Sequence, residues 1–249
     1  MMACATVSPV VTPTPVNVPA TQPTKPAPPP PTAIPAPPPA KLSGSWNFAY
    51  APGTYTYTVQ TDGTIAPVSD TSQKQALPES HQIATIAISG SGDVQVIDPA
   101  PATSPACDST AALIVRAQQL LPKVPNTLIA GTKWRDSTTT SGCRGMLPVA
   151  STVISNYTVT GDTTINSTRV LQIQRADSIS ATGEGSSGQH RIMIAATGTG
   201  LSHAFLDPIS GRLLLLSGTQ STLVNVTTSG RLATFRQNVT ESISLAGFH

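Results

Sequence analysis

The feature that most constrains the fold is a period-two alternation of apolar and polar residues over Arg231–Leu245, which reads RLATFRQNVTESISL. One face of this stretch carries an apolar set, and the other carries Leu232 with mainly hydroxyl, amide and basic side chains. The apolar set is Ala233, Phe235, Val239, Ile243 and Leu245. Such alternation is typical of a half-buried β-strand. Because so long a strand suits a strongly curved sheet or a barrel, we expect curvature here.

The same alternation recurs along most of the chain. In GTYTYTVQTDGTI, Tyr55, Tyr57 and Val59 alternate with threonines, and Asp62-Gly63 predicts a hairpin turn. IATIAISGSGDVQVID predicts two strands around a Gly/Ser turn. Short turns such as TGTG, DPISG and TSG predict that neighbouring strands pair in sequence order, as an antiparallel meander. Further strands are predicted at 149–159, 168–179, 189–197, 201–207, 212–217 and 223–228.

One segment, CDSTAALIVRAQQLLPKVP, predicts a helix instead. Asp108 or Ser109 provides an N-cap and Pro122 ends the helix. Its apolar stripe should pack on the sheet, and consists of Leu113, Ala117, Leu120 and Leu121. The predicted fold class is therefore mainly β: a strongly curved antiparallel sheet, either a half-barrel or a clamshell meander, with one packed helix.

The N-terminal part of the chain has a different composition. The first forty residues hold fourteen of the twenty-four prolines, and the stretch from Lys25 to Ala40 reads KPAPPPPTAIPAPPPA. A segment with so little to bury stays extended, partly as polyproline II. We therefore expect residues 1–41 to be a lipobox-like start and a disordered proline-rich tether. Residues 42–249 are long enough for a single β-rich domain.

Charge and composition exclude some functions. The formal net charge is +2, charged residues make up 10% of the chain and aromatic residues 4%. Nucleic-acid-binding proteins usually carry a basic stripe or interleaved aromatics, and neither occurs, so we expect no nucleic-acid partner. The sequence also contains no apolar run of eighteen residues, the minimum for a membrane-spanning helix.

The chain has three cysteines: Cys4, Cys107 and Cys143. A disulfide between Cys107 and Cys143 would close a loop of about 36 residues and stabilise the fold by about 3–4 kcal/mol in the chain-entropy model. Such a bond is typical of an oxidising compartment outside the cytoplasm. The alternative is a pair of buried, reduced thiols. No CxxC spacing occurs, so the cysteines predict neither a metal centre nor a redox motif.

Met2-Ala3-Cys4 resembles the end of a bacterial lipobox, in which small or apolar residues precede the cysteine that receives a lipid. The printed sequence lacks the basic and apolar regions of a signal peptide, so lipid attachment at Cys4 requires that translation begins upstream. Chance is the alternative explanation of the tripeptide. As polyproline II, the tether that follows would reach up to about 100 Å. Ala5 replaces the aspartate that commonly retains lipoproteins at the inner membrane, which favours an outer-membrane location facing the periplasm or the surface.

Together, the lipobox-like tripeptide, the tether, the tyrosine-alternating strand and LPKVPNTLIAGTKWRD before a long C-terminal meander resemble the clamshell envelope lipoproteins. These are periplasmic lipoprotein carriers and lipid-transport lipoproteins, and the resemblance covers about residues 45–245 in outline. It implies a cell-envelope protein that is bound to the membrane through a lipid on Cys4 and holds an apolar ligand or lipid in its curved sheet. The alternative is a structural or interaction lipoprotein whose sheet has a filled core. A hydrolase is a third hypothesis.

Candidate catalytic residues are few. The chain has no G-x-S-x-G motif. A hairpin centred on Gly198-Thr199 would place His190 opposite Asp207 and keep His203 apart from His190. His190 with Asp207 would then be an acid–base dyad or, alternatively, an ordinary cross-strand surface pair. We predict no catalytic residue, metal site or cofactor, while the ligand-binding residues and any protein partner stay open.

Overall fold

The computed structural model of the protein describes residues 45–98, 121–144, 147–187 and 189–248. These residues form twelve β-strands and a single 3₁₀ turn at Thr71–Gln73. In chain order the strands are β1 (Trp46–Asn47), β2 (Gly53–Pro67), β3 (Gln75–Ala76), β4 (Ser80–Ile88), β5 (Val94–Asp98), β6 (Thr127–Leu128), β7 (Lys133–Arg144), β8 (Leu147–Ile165), β9 (Thr168–Ser187), β10 (His190–Leu206), β11 (Leu213–Thr228) and β12 (Arg231–Leu245).

Ten of these strands form one strongly curled antiparallel sheet, in the order β5-β4-β2-β12-β11-β10-β9-β8-β7, with β3 paired to β2. Strands β7 to β12 pair in sequence order, which confirms the predicted meander for this part of the sheet. Strand β12 then pairs with β2, near the other end of the described chain. The short strands β1 and β6 form a separate antiparallel pair.

The predicted strand Arg231–Leu245 is confirmed with the same bounds. Three predicted breaks between strands are wrong, because β2, β10 and β11 run without a turn through Asp62-Gly63, Gly198-Thr199 and residues 218–222. The glycines in these positions pair with neighbouring strands and do not reverse the chain. The strands are therefore longer than the turn-forming residues within them would indicate.

These in-strand glycines face the buried side of the sheet, where strands come unusually close. A Cβ atom on Gly63 would lie 2.4 Å from the carbonyl oxygen of Asn238, and one on Gly198 would lie 2.4 Å from that of Ser221. A Cβ on Gly218 would lie 2.5 Å from the Ser202 Cβ. Only glycine fits where backbones approach so closely, and its use in strands often marks sharp bending. The glycines thus allow the sheet to curl.

The predicted helix from Asp108 to Leu121 lies outside the described residues except for Leu121, which precedes β6. Within the described ranges the 3₁₀ turn is the sole helical element, so the packed helix is not borne out. Asp70 caps this turn by accepting hydrogen bonds from the Ser72 N–H and hydroxyl, which together hold the pKa of Asp70 below its usual value.

The main hydrophobic core fills one end of the concave face and is covered by the segments around β1 and β6. Phe48 and Tyr50 pack edge to face with ring centroids 5.1 Å apart. The Tyr50 hydroxyl donates a buried hydrogen bond of 2.6 Å to the Pro122 carbonyl oxygen. The other buried members include Tyr57, Val59, Ile86, Leu128, Val159, Leu171, Ile173, Leu206, Leu213, Leu216 and Ile243. This end of the sheet is filled by the protein's own side chains.

A second, smaller apolar cluster lies on the same face toward the other end of the long strands. Its buried members are Ile194, Ala196 and Val224. Half-buried residues pack against them, namely Leu147, Ala181, Ile192, Val226 and Phe235. The stretch of concave face between the two clusters is polar, and it positions the candidate site.

Candidate functional site

Two of the cross-strand rows between the apolar clusters are mainly polar, and we call these two rows the polar belt. The first row, in order of strand pairing from β8 to β12, is Ser155, Asp177, Gly200, Gln220 and Val239. The second row, one step nearer the main core, is Tyr157, Arg175, Ser202, Gly218 and Glu241. Every member has the strand parity of the buried residues, so both rows face the concavity.

An ion pair anchors the belt on strand β9. The Nε–H of Arg175 donates to Oδ1 of Asp177 at 2.8 Å, and each side chain is only 12% exposed. The Ser155 hydroxyl donates to the same oxygen at 2.7 Å. Burial alone would lower the pKa of Arg175, but the Asp177 carboxylate beside it raises that pKa on balance. The guanidinium of Arg175 therefore stays charged, and its hydrogen bond to Asp177 fixes its position.

Gly200 leaves room for a methyl-sized group beside the other carboxylate oxygen of Asp177. A Cβ atom at Gly200 would lie 3.4 Å from the Asp177 Cβ and 3.5 Å from its Oδ2. These are ordinary van der Waals distances, so the space could take a methyl group without moving the backbone. A group at the Cβ position of Gly200 would thus contact Oδ2 of Asp177 at the lining of the concavity.

The polar belt borders a cavity of about 320 Å³ that extends from the main core toward the second cluster. This volume lies at the lower end of the range of about 300–1,000 Å³ for small-molecule sites. Its polar lining consists mainly of Arg175, Asp177, Ser202, Gln220, Thr222, Gln237 and Glu241. Its apolar lining includes Val149, Val153, Ile179, Ala181, Ala196 and Val239. The cavity is therefore amphipathic, with its charged groups on the side of the main core.

Among the described residues, three charged side chains line the cavity: Arg175, Asp177 and Glu241. One guanidinium and two carboxylates give a formal net charge of −1. Glu241 lies on β12, three strands away from Arg175 in the register, yet its charge is close enough to help raise the pKa of Arg175. The curl of the sheet and the small residues between them, Ser202 and Gly218, bring the two side chains toward each other.

Two aromatic residues lie at the end of the polar belt nearest to β7. Trp134 and Tyr157 stack with ring centroids 5.0 Å apart and an interplanar angle of 10°. Burial raises the pKa of Tyr157 and keeps its hydroxyl protonated. The buried Nε1 of Trp134 has no hydrogen-bond acceptor among the described residues. Trp134 thus packs on the inner face of the sheet next to the belt.

The cysteine predictions concern residues that are largely outside the described structure. Cys4 and Cys107 both lie outside the described residues. Cys143 lies in β7, where the backbone pairs with Pro148, and its side chain is not described. The lipid on Cys4 and the disulfide between Cys107 and Cys143 therefore stay predictions.

The predicted pairing of His190 with Asp207 is wrong. His190 begins β10 and Asp207 directly follows its end, so the two residues lie at opposite ends of one continuous strand. His203 lies within β10 and shares a 3.0 Å hydrogen bond between its Nδ1 and Nε2 of Gln172. In the described ranges, no three His, Cys, Asp or Glu side chains are grouped so that they could hold a metal ion.

His190 instead shares a 2.8 Å hydrogen bond between its Nδ1 and the Ser229 hydroxyl. Ser229 has a φ of +49° and Gly230 a φ of +79°, which are the angles of a two-residue hairpin turn between β11 and β12. The conformation of Ser229 is thus required by the turn. The imidazole contacts a hydroxyl at an exposed hairpin, and no carboxylate among the described residues is hydrogen-bonded to it. This geometry does not favour a hydrolase.

Sequence reasoning missed the charged residues of the belt, although the pattern contains a signal for them. In IQRADSI, Arg175 and Asp177 occupy the same parity as Ile173 and Ile179, which places two charges on a buried face. Likewise, Gln237 and Glu241 share the parity of the apolar set in Arg231–Leu245. A charge at an inward position of an alternating strand is unusual enough to mark a site.

Comparison of the chain with protein-family models, with curated proteins and with solved structures gives no match. Among the described residues, no helix has the length and apolar character needed to cross a membrane.

Proposed function

We propose that the protein binds a small amphipathic ligand of the lipid class in the concavity of its curled sheet. The observation that carries this proposal is the cavity of about 320 Å³ between the two apolar clusters. Side chains fill the sheet at the main core, but small residues line its middle, where a filled core would need large ones. Gly200, Ser202 and Gly218 are such residues, and they lie on adjacent strands.

The distribution of lining residues favours an amphipathic ligand over a purely apolar one. The charged side chains and Gln220 lie on the side of the main core, and most of the apolar side chains lie toward the second cluster. A ligand with its polar group at the belt and its apolar part along Val153, Ile179 and Ala196 would match both linings. Burying such a polar group without partners would be costly, and the belt supplies them.

We further propose that this binding domain is a lipid-anchored cell-envelope protein, related in outline to the clamshell lipoprotein carriers. Support comes from the lipobox-like Met2-Ala3-Cys4 and from the proline-rich tether before the sheet. A lipid on Cys4 and a tether of this kind would keep the cavity within reach of a membrane surface, at the outer membrane in our proposal.

The test is mass spectrometry of the full chain, exported to the periplasm of a bacterial host behind a cleavable signal peptide. The mass measured under native conditions should exceed the mass measured under denaturing conditions by the mass of a bound lipid-class molecule. Gly200→Ala should lose that difference, because its methyl group occupies the space in front of Asp177. Gly90→Ala is the matched control, since a Cβ there meets only Pro52 at 3.7 Å, outside the cavity lining.

Equal native and denatured masses for the wild-type chain, with no binding of added short-chain alkyl compounds, would overturn the proposal. That result would favour a structural or interaction protein whose sheet needs no ligand. An extra mass that is retained in Gly200→Ala would place the ligand elsewhere on the protein and would likewise contradict the cavity as its site.

A further inference from the structure

We infer that the polar group of the ligand is a cationic ammonium, held over Gly200 between the carboxylates of Asp177 and Glu241. This inference rests on the proposed function, because it specifies the chemistry of the same cavity. It assigns an amine-bearing amphiphile as the ligand class. It also excludes the fatty carboxylates and phosphate esters that an arginine in an apolar cavity would otherwise suggest.

Arg175 is already engaged, and this argues against an anionic ligand. Its Nε–H donates to Asp177 at 2.8 Å, and Arg175 has a further interaction beyond that pair. Both of its charge partners, Asp177 and then Glu241, are carboxylates of the cavity itself. An incoming carboxylate would have to displace one of them and would raise the negative charge of a partly buried site.

The cavity carries an excess of one negative charge, and an ammonium would balance it. The described part of the lining contains one guanidinium and two carboxylates. A cation that enters the cavity would neutralise this excess, whereas an anion would add to it. The excess charge remains although Glu241 has an interaction of its own.

The space for the ammonium is defined by Gly200. Oδ1 of Asp177 accepts hydrogen bonds from Ser155 and Arg175, whereas Oδ2 faces the gap above Gly200 at about the distance of a van der Waals contact. A group at this position contacts Asp177 directly, and Glu241 lies in the neighbouring cross-strand row, beyond the small residues Ser202 and Gly218. An ammonium has three donors, which suits a site with two carboxylates and neighbouring amide oxygens.

The experiment compares three probes with the same tail, namely octylamine, octanol and octanoate, binding to the full chain at pH 7 by isothermal titration calorimetry. Octylammonium should bind at least about tenfold more tightly than the other two, the size of one charge-assisted hydrogen bond. The chain as a whole has a formal charge of +2. Non-specific attraction would therefore favour octanoate, so a preference for the amine must be local.

Glu241→Gln should reduce the preference for octylamine over octanol to within about threefold, because it removes the excess charge. Glu184→Gln is the matched control, since Glu184 carries an exposed ion pair with Arg191 and does not line the cavity. The control should keep the full preference. Thermal unfolding of both variants establishes that they are folded, and the wild-type comparison of three probes needs no variant at all.

The outcomes separate this inference from the proposed function. Equal affinity for the three probes, or tighter binding of octanoate, would overturn the ammonium assignment and leave an amphiphile-binding cavity. Retention of the amine preference in Glu241→Gln would also overturn it. Absence of binding for all three, together with equal native and denatured masses, would overturn the proposed function itself.

Discussion

Gly198 and Gly200 lie two residues apart on the concave face of β10, and their surroundings differ. A Cβ on Gly198 would lie 2.4 Å from the Ser221 carbonyl oxygen and 2.9 Å from the Thr222 Cα, so the backbone would have to move. We expect Gly198→Ala to lower the free energy of unfolding by about 1–3 kcal/mol, as for an overpacked core. Urea denaturation followed by far-UV circular dichroism measures this loss.

Gly200→Ala should behave in the opposite way. Its new methyl group meets nothing closer than 3.4 Å, and the substitution restricts the unfolded chain. We expect the free energy of unfolding to stay the same or to rise by up to about 1 kcal/mol. Equal losses in Gly198→Ala and Gly200→Ala would show that their local packing is not what distinguishes them.

At this scale the sequence predicts which side of a strand a residue faces, but not what it meets there. The parity of Arg231–Leu245 correctly grouped Phe235, Val239 and Ile243. Yet Phe235 packs in the second cluster, Val239 lines the cavity and Ile243 belongs to the main core. Depth along a strand depends on partners from distant strands, which a local pattern does not contain.

At the scale of elements, the turn between β10 and β11 is organised by Asp207. Its Oδ1 accepts from the Ile209 N–H at 2.9 Å, and its Oδ2 accepts from the Ser210 hydroxyl at 2.5 Å. Burial alone would raise the pKa of Asp207, but these hydrogen bonds outweigh it and lower the pKa below the usual value. The folded state therefore favours the ionised carboxylate more than the unfolded state does.

The stability that Asp207 contributes should be complete above the unfolded-state pKa of about 3.9 and should be lost as the pH falls through the lower folded-state value. We expect Asp207→Asn to cost about 1 kcal/mol at pH 7, because a neutral amide oxygen accepts more weakly. The cost should shrink below about pH 4, where the wild-type residue becomes protonated. Urea denaturation of both proteins from pH 2.5 to 7 measures the difference, and a cost independent of pH would contradict this account.

Turns were the least predictable elements, because glycine serves two purposes in this chain. In the turns after β4 and β11, Gly92 and Gly230 have φ values of +87° and +79°, which other residues rarely adopt. Gly63, Gly198 and Gly218 lie outside the left-handed region and are needed only for close strand approach. A Gly beside Asp, Thr or Ser has the same local sequence in both cases. The sequence therefore predicts turns at positions where the strand continues and the sheet only bends.

The whole molecule depends on one long-range ladder. Strand β12 pairs with β11 on one side and with β2 on the other, joining residues 57–67 to residues 235–245. A chain that ends at Gly230 should therefore lose cooperative thermal unfolding, because β2 and β11 would each present an unpaired edge. A chain that ends at Leu245 keeps β12 and should unfold cooperatively. A cooperative transition in the shorter chain would show that the two parts of the sheet fold independently.

At the scale of the whole molecule, the class of the fold was predictable, because apolar–polar alternation over long stretches indicates long strands in a curved antiparallel sheet. The closing of the meander by β2 was not predictable, because no local signal links Tyr57 to Leu245 across the chain. The cavity was equally inaccessible, as it requires the curl to bring β9 and β12 toward each other.

The central place of β12 has a consequence for biosynthesis. This strand leaves the ribosome after all the other described strands, yet it lies between β2 and β11 in the finished sheet. Until it emerges, the nascent chain has two open edges of β-structure, which invite pairing with other chains. The sheet can therefore be completed only after β12 has been translated, and we expect the nascent chain to be most prone to aggregation in that interval.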